Sequence, residues 1–192
     1  MYEFIEGEII EKSPAQLVIK AGPIAYLLNI SVNTYSKIGD QTSGKFYLHH
    51  VQREDAQLLY GFIDREEREL FRMLITVSGV GANTARLILS SMTPTEIRNA
   101  ILSGNAVALQ NIKGIGAKSA QRIIIDLRDK VGKASESDDL FVPEGNTIRE
   151  EALSALVALG FPRRSVEKYL GKIMSKGDLT AEEIVKEALK LM

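Results

Sequence analysis

Leu74-Ile75-Thr76-Val77-Ser78-Gly79-Val80-Gly81-Ala82-Asn83-Thr84-Ala85-Arg86-Leu87-Ile88-Leu89 returns 35 residues later, without a gap, as Leu109-Gln110-Asn111-Ile112-Lys113-Gly114-Ile115-Gly116-Ala117-Lys118-Ser119-Ala120-Gln121-Arg122-Ile123-Ile124. Six of the sixteen positions are identical, and the pairs Val77/Ile112, Val80/Ile115 and Thr84/Ser119 are conservative. A repeat at a fixed period means that one supersecondary unit is used twice. In each copy a helical pattern ends at a Gly-apolar-Gly turn, and a second helix starts at once. The glycines permit tight dihedrals and close backbone approach. The residue between them, Val80 or Ile115, is placed to plug the gap between the two helices. The following helix then presents its unpaired amides and positive dipole end beside the turn, a geometry that accepts phosphate.

This pattern resembles the helix-hairpin-helix motif, which holds DNA by backbone amides without reading bases. The candidate DNA-backbone residues are Gly79, Val80, Gly81 and Asn83 in the first hairpin. In the second they are Lys113, Gly114, Ile115, Gly116, Lys118 and Arg122, whose three cations can add phosphate contacts. A single Gly-x-Gly often does no more than end a helix. Two copies in register carry more weight, because charge divides along the chain in the same place. Residues 1–64 hold five Lys/Arg against eight Asp/Glu, residues 65–132 ten against six, and residues 133–192 nine against eleven. The repeat lies in the one basic segment, although the whole chain has a net charge of -1. Nucleotide-binding loops fail on residue identity. A P-loop needs contiguous Gly-Lys-Ser/Thr after a strand, whereas Ala117 interrupts Gly116-Ala117-Lys118-Ser119. A dinucleotide fingerprint needs a third glycine where Thr84 and Ser119 stand.

On the N-terminal side the grammar is that of strands. Runs at Glu3–Ile9, Gln16–Lys20, Ala25–Ile30, Lys45–Val51 and Gln57–Phe62 are separated by Ser13-Pro14, Gly22-Pro23 and Gly39-Asp40. Five or six short strands in so few residues predict a small closed barrel of OB type. From Asp64 the pattern turns helical, with acids at Glu66, Glu67 and Glu69 and apolar Leu70, Phe71, Leu74 and Ile75. Residues 132–146 have no period and read as a flexible linker. Beyond them Thr147-Ile148-Arg149-Glu150 and Thr180-Ala181-Glu182-Glu183 are capping-box patterns. Leu153, Leu156 and Val157, then Val166, Leu170 and Ile173, then Ile184, Val185, Ala188 and Leu189 mark three short helices. The expected fold is α+β and multidomain: an OB-type β-barrel (1–63), an all-α tandem helix-hairpin-helix domain (64–131), a linker (132–146) and a three-helix bundle (147–192).

Composition narrows the chemistry. The chain has no cysteine, which excludes disulfides, thiolate metal sites and cysteine nucleophiles. Its two histidines are adjacent, His49-His50, and neighbours on a strand point to opposite faces, so no metal site is expected there. No apolar run is long enough to cross a bilayer. The start, Met1-Tyr2-Glu3-Phe4-Ile5-Glu6, is acidic and alternating, unlike a signal peptide, so a cytoplasmic protein is expected. The rival class is an enzyme that carries hairpins as a clamp. Asp126 and Asp129 follow the second hairpin, but no lysine nucleophile or base pocket is legible beside them, and they read as helix-surface acids. No catalytic residue and no cofactor is expected.

The stretch Arg53-Glu54-Asp55-Ala56-Gln57-Leu58-Leu59-Tyr60-Gly61-Phe62 resembles the signature of the RuvA family, and the order of regions matches that family along the whole chain. The resemblance implies binding of four-way (Holliday) DNA junctions in an open square form, within recombination and repair. It implies a homotetramer or an octamer, and an acidic pin at Glu54 and Asp55 flanked by Arg53. It further implies that residues 147–192 recruit the hexameric RuvB ATPase, which uses the ATP and Mg itself, and that the RuvC resolvase is a further partner. One departure stands out. Family members often carry Pro-Lys after the first hairpin, where this chain has Ala82-Asn83, so the second hairpin is expected to dominate affinity.

Overall fold

The computed structural model describes residues 2–138, 144–174 and 179–191. Five strands close into a barrel in the order β1-β2-β3-β5-β4: β1 (Phe4–Lys12), β2 (Gln16–Ala21), β3 (Ile24–Asn29), β4 (Ser43–Gln52) and β5 (Gln57–Phe62). All pairings are antiparallel except β3 with β5, where Leu28 faces Leu59 and Asn29 faces Tyr60. β1 serves both neighbours by bending at a bulge between Ile9 and Glu11, which lets a long strand turn a barrel corner. Leu17, Ile19, Leu28, Phe46 and Leu48 fill the interior. The two histidines of β4 do point apart: His49 meets the Phe71 ring edge-on and His50 meets Tyr2.

A helix that the sequence reading does not anticipate, α1 (Val32–Ile38), sits between β3 and β4, capped by the Ser31 hydroxyl on the Thr34 amide. Its residues are weak helix formers; tertiary packing holds it. Ser31 and Thr34 donate to the carboxylate of Glu67, a fully buried acid of α2 (Arg65–Ile75). Asp64 caps α2 by accepting from the Glu67 amide at 2.9 Å. Arg68, 3% exposed, donates to the Glu3 carbonyl and carboxylate and so ties β1 to α2.

The helices after α2 are α3 (Ala82–Ser91), α4 (Pro94–Leu102), α5 (Ala106–Gln110) and α6 (Ala117–Asp138). Their core takes Leu70, Phe71, Leu74, Ile88, Ile97, Leu109, Ile123 and Leu127, together with Tyr60 and Phe62 from β5. The change of grammar at residues 63/64 is therefore a change of element, with one core running across it. Residues 1–135 form one compact unit and 136–192 another.

The expected linker is helical at both ends. α6 runs to Asp138 and the next helix, α7 (Glu144–Ala158), begins before Thr147, so Thr147 lies inside the helix. Residues 139–143 lie outside the described residues. Extending a packed helix costs little once it is nucleated, and no proline intervenes before Pro143. The C-terminal unit packs α7, α8 (Arg163–Met174) and α9 (Ala181–Leu191) around Leu153, Leu156, Val166, Leu170, Ile173, Ile184 and Ala188. Val157 and Leu189, two of the apolar residues that mark these helices, are exposed. The second capping box forms as read: the Glu183 amide donates to Thr180 Oγ1, and the Glu183 carboxylate accepts from the Thr180 amide and hydroxyl. Those bonds hold its carboxyl below the usual range.

Candidate nucleic-acid interface

The duplication in sequence is a duplication in hydrogen bonds. The Val77 amide donates to the Leu74 carbonyl at 3.1 Å, and Ile112 to Leu109 at 3.2 Å. Val80 donates to Val77 and Ile115 to Ile112, both at 3.0 Å. Ala85 donates to Gly81 at 2.9 Å and Ala120 to Gly116 at 3.0 Å, each closing the first turn of the following helix. Val80 and Ile115 are buried, as plugs between helices should be. Ala85 and Ala120 are fully buried, which lets the paired helices approach closely.

The two glycines of each turn have different duties. Gly79 and Gly114 stand at φ +90 and +92, a backbone conformation costly for any residue with a Cβ. Gly81, by contrast, has ordinary extended angles (φ −83, ψ 171) as N-cap of α3. A Cβ at Gly81 or Gly116 would meet nothing within 4 Å, so the space before the helix start is open. Gly81 provides no side-chain cap. Among the described residues no acceptor meets the amides of Gly81, Ala82, Asn83 or Thr84, nor those of Gly116, Ala117, Lys118 or Ser119. Each hairpin thus offers a cluster of donors and the positive end of a helix dipole to whatever approaches.

Side chains distinguish the copies. Lys113 and Lys118 are exposed, with no acidic partner among the described residues. At the position equivalent to Lys118 stands Asn83, whose Oδ1 accepts from the hydroxyl of the buried Tyr60 at 3.1 Å. Arg122 does not simply point into solvent. Its Nη1 donates to the Ser78 carbonyl at 3.2 Å and so brings the second hairpin's helix against the first hairpin. Four other cations of the basic segment are committed elsewhere: Arg68 to Glu3, Arg72 to Glu69, Arg98 to Glu66 and Arg86 to the Ala15 carbonyl. Of the two hairpins, the second carries the exposed lysines that have no acidic partner among the described residues.

Arg53, Glu54 and Asp55 lie in the tight turn between β4 and β5, closed by the Arg53 amide on the Ala56 carbonyl at 2.8 Å. All three are exposed. The β-hairpin that carries them is firmly seated: Val51 and Leu58 pack on the helical core, and Tyr60 reaches Asn83. Asp126 and Asp129 are exposed on α6. Among the described residues no three His, Asp or Glu side chains are grouped to hold a metal ion, and no helix is long and apolar enough to cross a membrane.

Tyr60 and Ser78 carry no sequence signal that marks them as parts of this site. Tyr60 lies in the apolar run of β5, yet nothing local says that its hydroxyl meets a helix 23 residues on.

Three family models cover the chain in the order of these elements. Residues 1–61 match the RuvA N-terminal domain, 71–129 the SAM-like helix-hairpin-helix tandem, and 147–192 the RuvA C-terminal domain. Relatives align from end to end. A protein of Christiangramia forsetii is 48% identical over 191 residues, 99% of each chain. One of Flavobacterium psychrophilum is 47% identical over 191 residues, 99% of each chain. One of Parabacteroides distasonis is 48% identical over 198 aligned positions, 100% of each chain. Each of these relatives bears the name Holliday junction branch migration complex subunit RuvA. With both terminal domains of one family flanking the duplicated hairpin, and similarity of this depth along its whole length, the chain belongs to the RuvA family.

Proposed function

We propose that this chain binds four-way DNA junctions through their phosphates and serves as the non-catalytic, DNA-holding subunit of a branch-migration complex. The observation that carries the reading is the pair of hairpins with open, unpartnered helix-start amides, held side by side by Arg122. Amides grip phosphate whatever the base, which suits a junction whose sequence changes as it migrates. Gly79, Val80, Gly81 and Asn83 form one grip, and Lys113, Gly114, Ile115, Gly116, Lys118 and Arg122 the other.

Glu54 and Asp55, with Arg53 beside them, act as an acidic pin. Carboxylates near phosphates repel, so they add no affinity; they separate strands and steer them into different channels. A homotetramer sets four such pins around the crossover, an octamer eight, and the junction opens into a square. Residues 147–192 recruit the RuvB motor, which consumes ATP with Mg; this chain needs neither, and the RuvC resolvase works on the same junction. The setting is cytoplasmic recombination and repair.

The test is a gel shift of four-way junction against linear duplex at fixed salt, with the native mass measured alongside. The expected outcome is a tetrameric or larger species that prefers the junction. Equal affinity for both DNAs would overturn the junction reading, and junction cleavage with added divalent metal would overturn the non-catalytic one.

A further inference from the structure

We infer that Tyr60 is a positioning residue for the first hairpin: its buried hydroxyl orients the Asn83 amide so that the amide NH2 joins the helix-start donors as a neutral phosphate ligand. The inference rests on the DNA-binding reading above and adds to it a residue that lies inside the core.

Tyr60 is fully buried, with its ring against Phe71 and its backbone held in the barrel. It lies 5.0 Å from the Phe71 ring, centroid to centroid, and its backbone is paired in register with His49 of β4 and Asn29 of β3. The phenol O–H donates to Asn83 Oδ1 at 3.1 Å. A buried hydroxyl left without a partner is costly, so the contact is favoured. Asn83 itself is exposed, the second residue of α3. With Oδ1 engaged, the remaining functional group is the NH2, two donors that no acceptor among the described residues meets. An asparagine at this place would otherwise turn freely and offer oxygen or nitrogen outward at random. Oxygen outward would repel a phosphate; with the Tyr60 hydroxyl donating to Oδ1, that oxygen is turned inward.

The equivalent position in the second hairpin shows the alternative. Lys118 is exposed, without an acidic partner among the described residues, and attracts phosphate by charge. Asn83 instead works by pre-organisation, which saves the ordering cost that a flexible side chain incurs on binding. The first hairpin therefore contributes affinity that is nearly independent of salt, because no cation displaces counterions there.

The experiment is a double-mutant cycle on Tyr60→Phe and Asn83→Ala in the full chain, measuring junction affinity across a salt series, with thermal unfolding as a check on folding. Losing one oriented donor to phosphate should weaken binding about tenfold in Asn83→Ala. Tyr60→Phe should lose about threefold and should cost nothing further in the Asn83→Ala background. Neither variant should change the slope of log affinity against log salt, whereas Asn83→Lys should steepen it by about 0.9 per subunit contact. A Tyr60→Phe loss of equal size with and without Asn83 overturns the assignment, since a merely structural tyrosine acts independently of that amide. Unchanged binding in Tyr60→Phe overturns it too. A wild-type chain that ignores both junction and duplex overturns instead the binding reading on which it stands.

Discussion

The two hairpins share one backbone and differ in how they are mounted. Their hydrogen bonds agree to about a tenth of an ångström, position by position. The first is bolted to the barrel: Asn83 to Tyr60, Arg86 to the Ala15 carbonyl at 2.9 Å, Asn33 of α1 to the Leu89 and Met92 carbonyls, and the Val32 amide to Ser90 Oγ at 3.1 Å. The second is joined to the first through Arg122 on Ser78 and Lys130 on Thr76, and it carries the untethered Lys113 and Lys118. The difference teaches that glycines and apolar plugs set the shape of a grip, while the residues at its edge decide whether it works as a rigid bracket or as a charged handle.

The largest effect should come from breaking the shared shape. Gly114→Ala forces a Cβ onto φ +92, at a cost of about 1–2 kcal/mol in stability, and distorts the turn that aims the amides. Junction binding should fall by about tenfold or more. Gly116→Ala separates the two duties of the motif. Its Cβ meets nothing in the free protein, so the melting temperature should hold while binding weakens, because the methyl group occupies space that a phosphate needs. Equal melting losses in both variants would show that the second glycine serves the fold as well.

Next in size is the acidic turn, which belongs to the bracket side through Tyr60. Glu54→Gln with Asp55→Asn removes two exposed charges from the tip and leaves the turn's backbone bond in place. If the tip faces phosphates, each lost repulsion is worth on the order of 1 kcal/mol at close range, and less at high salt. The double variant should bind junctions more tightly and prefer them less over duplex. A wild-type ratio of the two dissociation constants would make the pair ordinary surface.

A smaller effect sharpens the comparison directly. Lys118→Ala should weaken binding mildly and shrink the salt slope by about 0.9, while Asn83→Ala should leave the slope alone. Equal slopes in the two variants would mean that both hairpins hold phosphate in the same way.

Most of this architecture is legible in the sequence because it is local. Five strands separated by Pro and Gly, a repeat with buried Val80 and Ile115, and the Thr180 cap all follow from short-range pattern. The features that escape are those in which a distant partner decides. α1 is built from poor helix formers and exists because Ser31 and Thr34 meet Glu67 more than 30 residues away. The helical ends of the expected linker escape for a related reason, since composition does not show that α6 is already nucleated by packing at Leu127 and Val131. The bond from Arg122 to the Ser78 carbonyl escapes too, because a carbonyl carries no sequence signal at all.

Glu67 offers the finest probe of the bracket. It is fully buried where α1, α2 and the barrel meet, and burial pushes its carboxyl above the usual range, while the Ser31 and Thr34 hydroxyls pull it partly back. Asp64 beside it raises it further, and Lys37, ion-paired with Asp64 at 2.6 Å, lowers it. A carboxyl whose folded pKa is raised binds its proton more tightly in the native state than in the unfolded one. Its contribution to stability is therefore complete in acid and is lost as pH rises from the ordinary carboxylate range through the raised value. Glu67→Gln keeps the shape and removes the titration. The melting temperature of the variant relative to wild type should climb across that window and level off above it. Binding at neutral pH should keep its salt slope, because Glu67 supports the mounting of the first hairpin and the slope arises at the second. Parallel melting curves for the two proteins from about pH 4 to 8 would show that water reaches the carboxylate and that the bracket carries no pH-dependent strain.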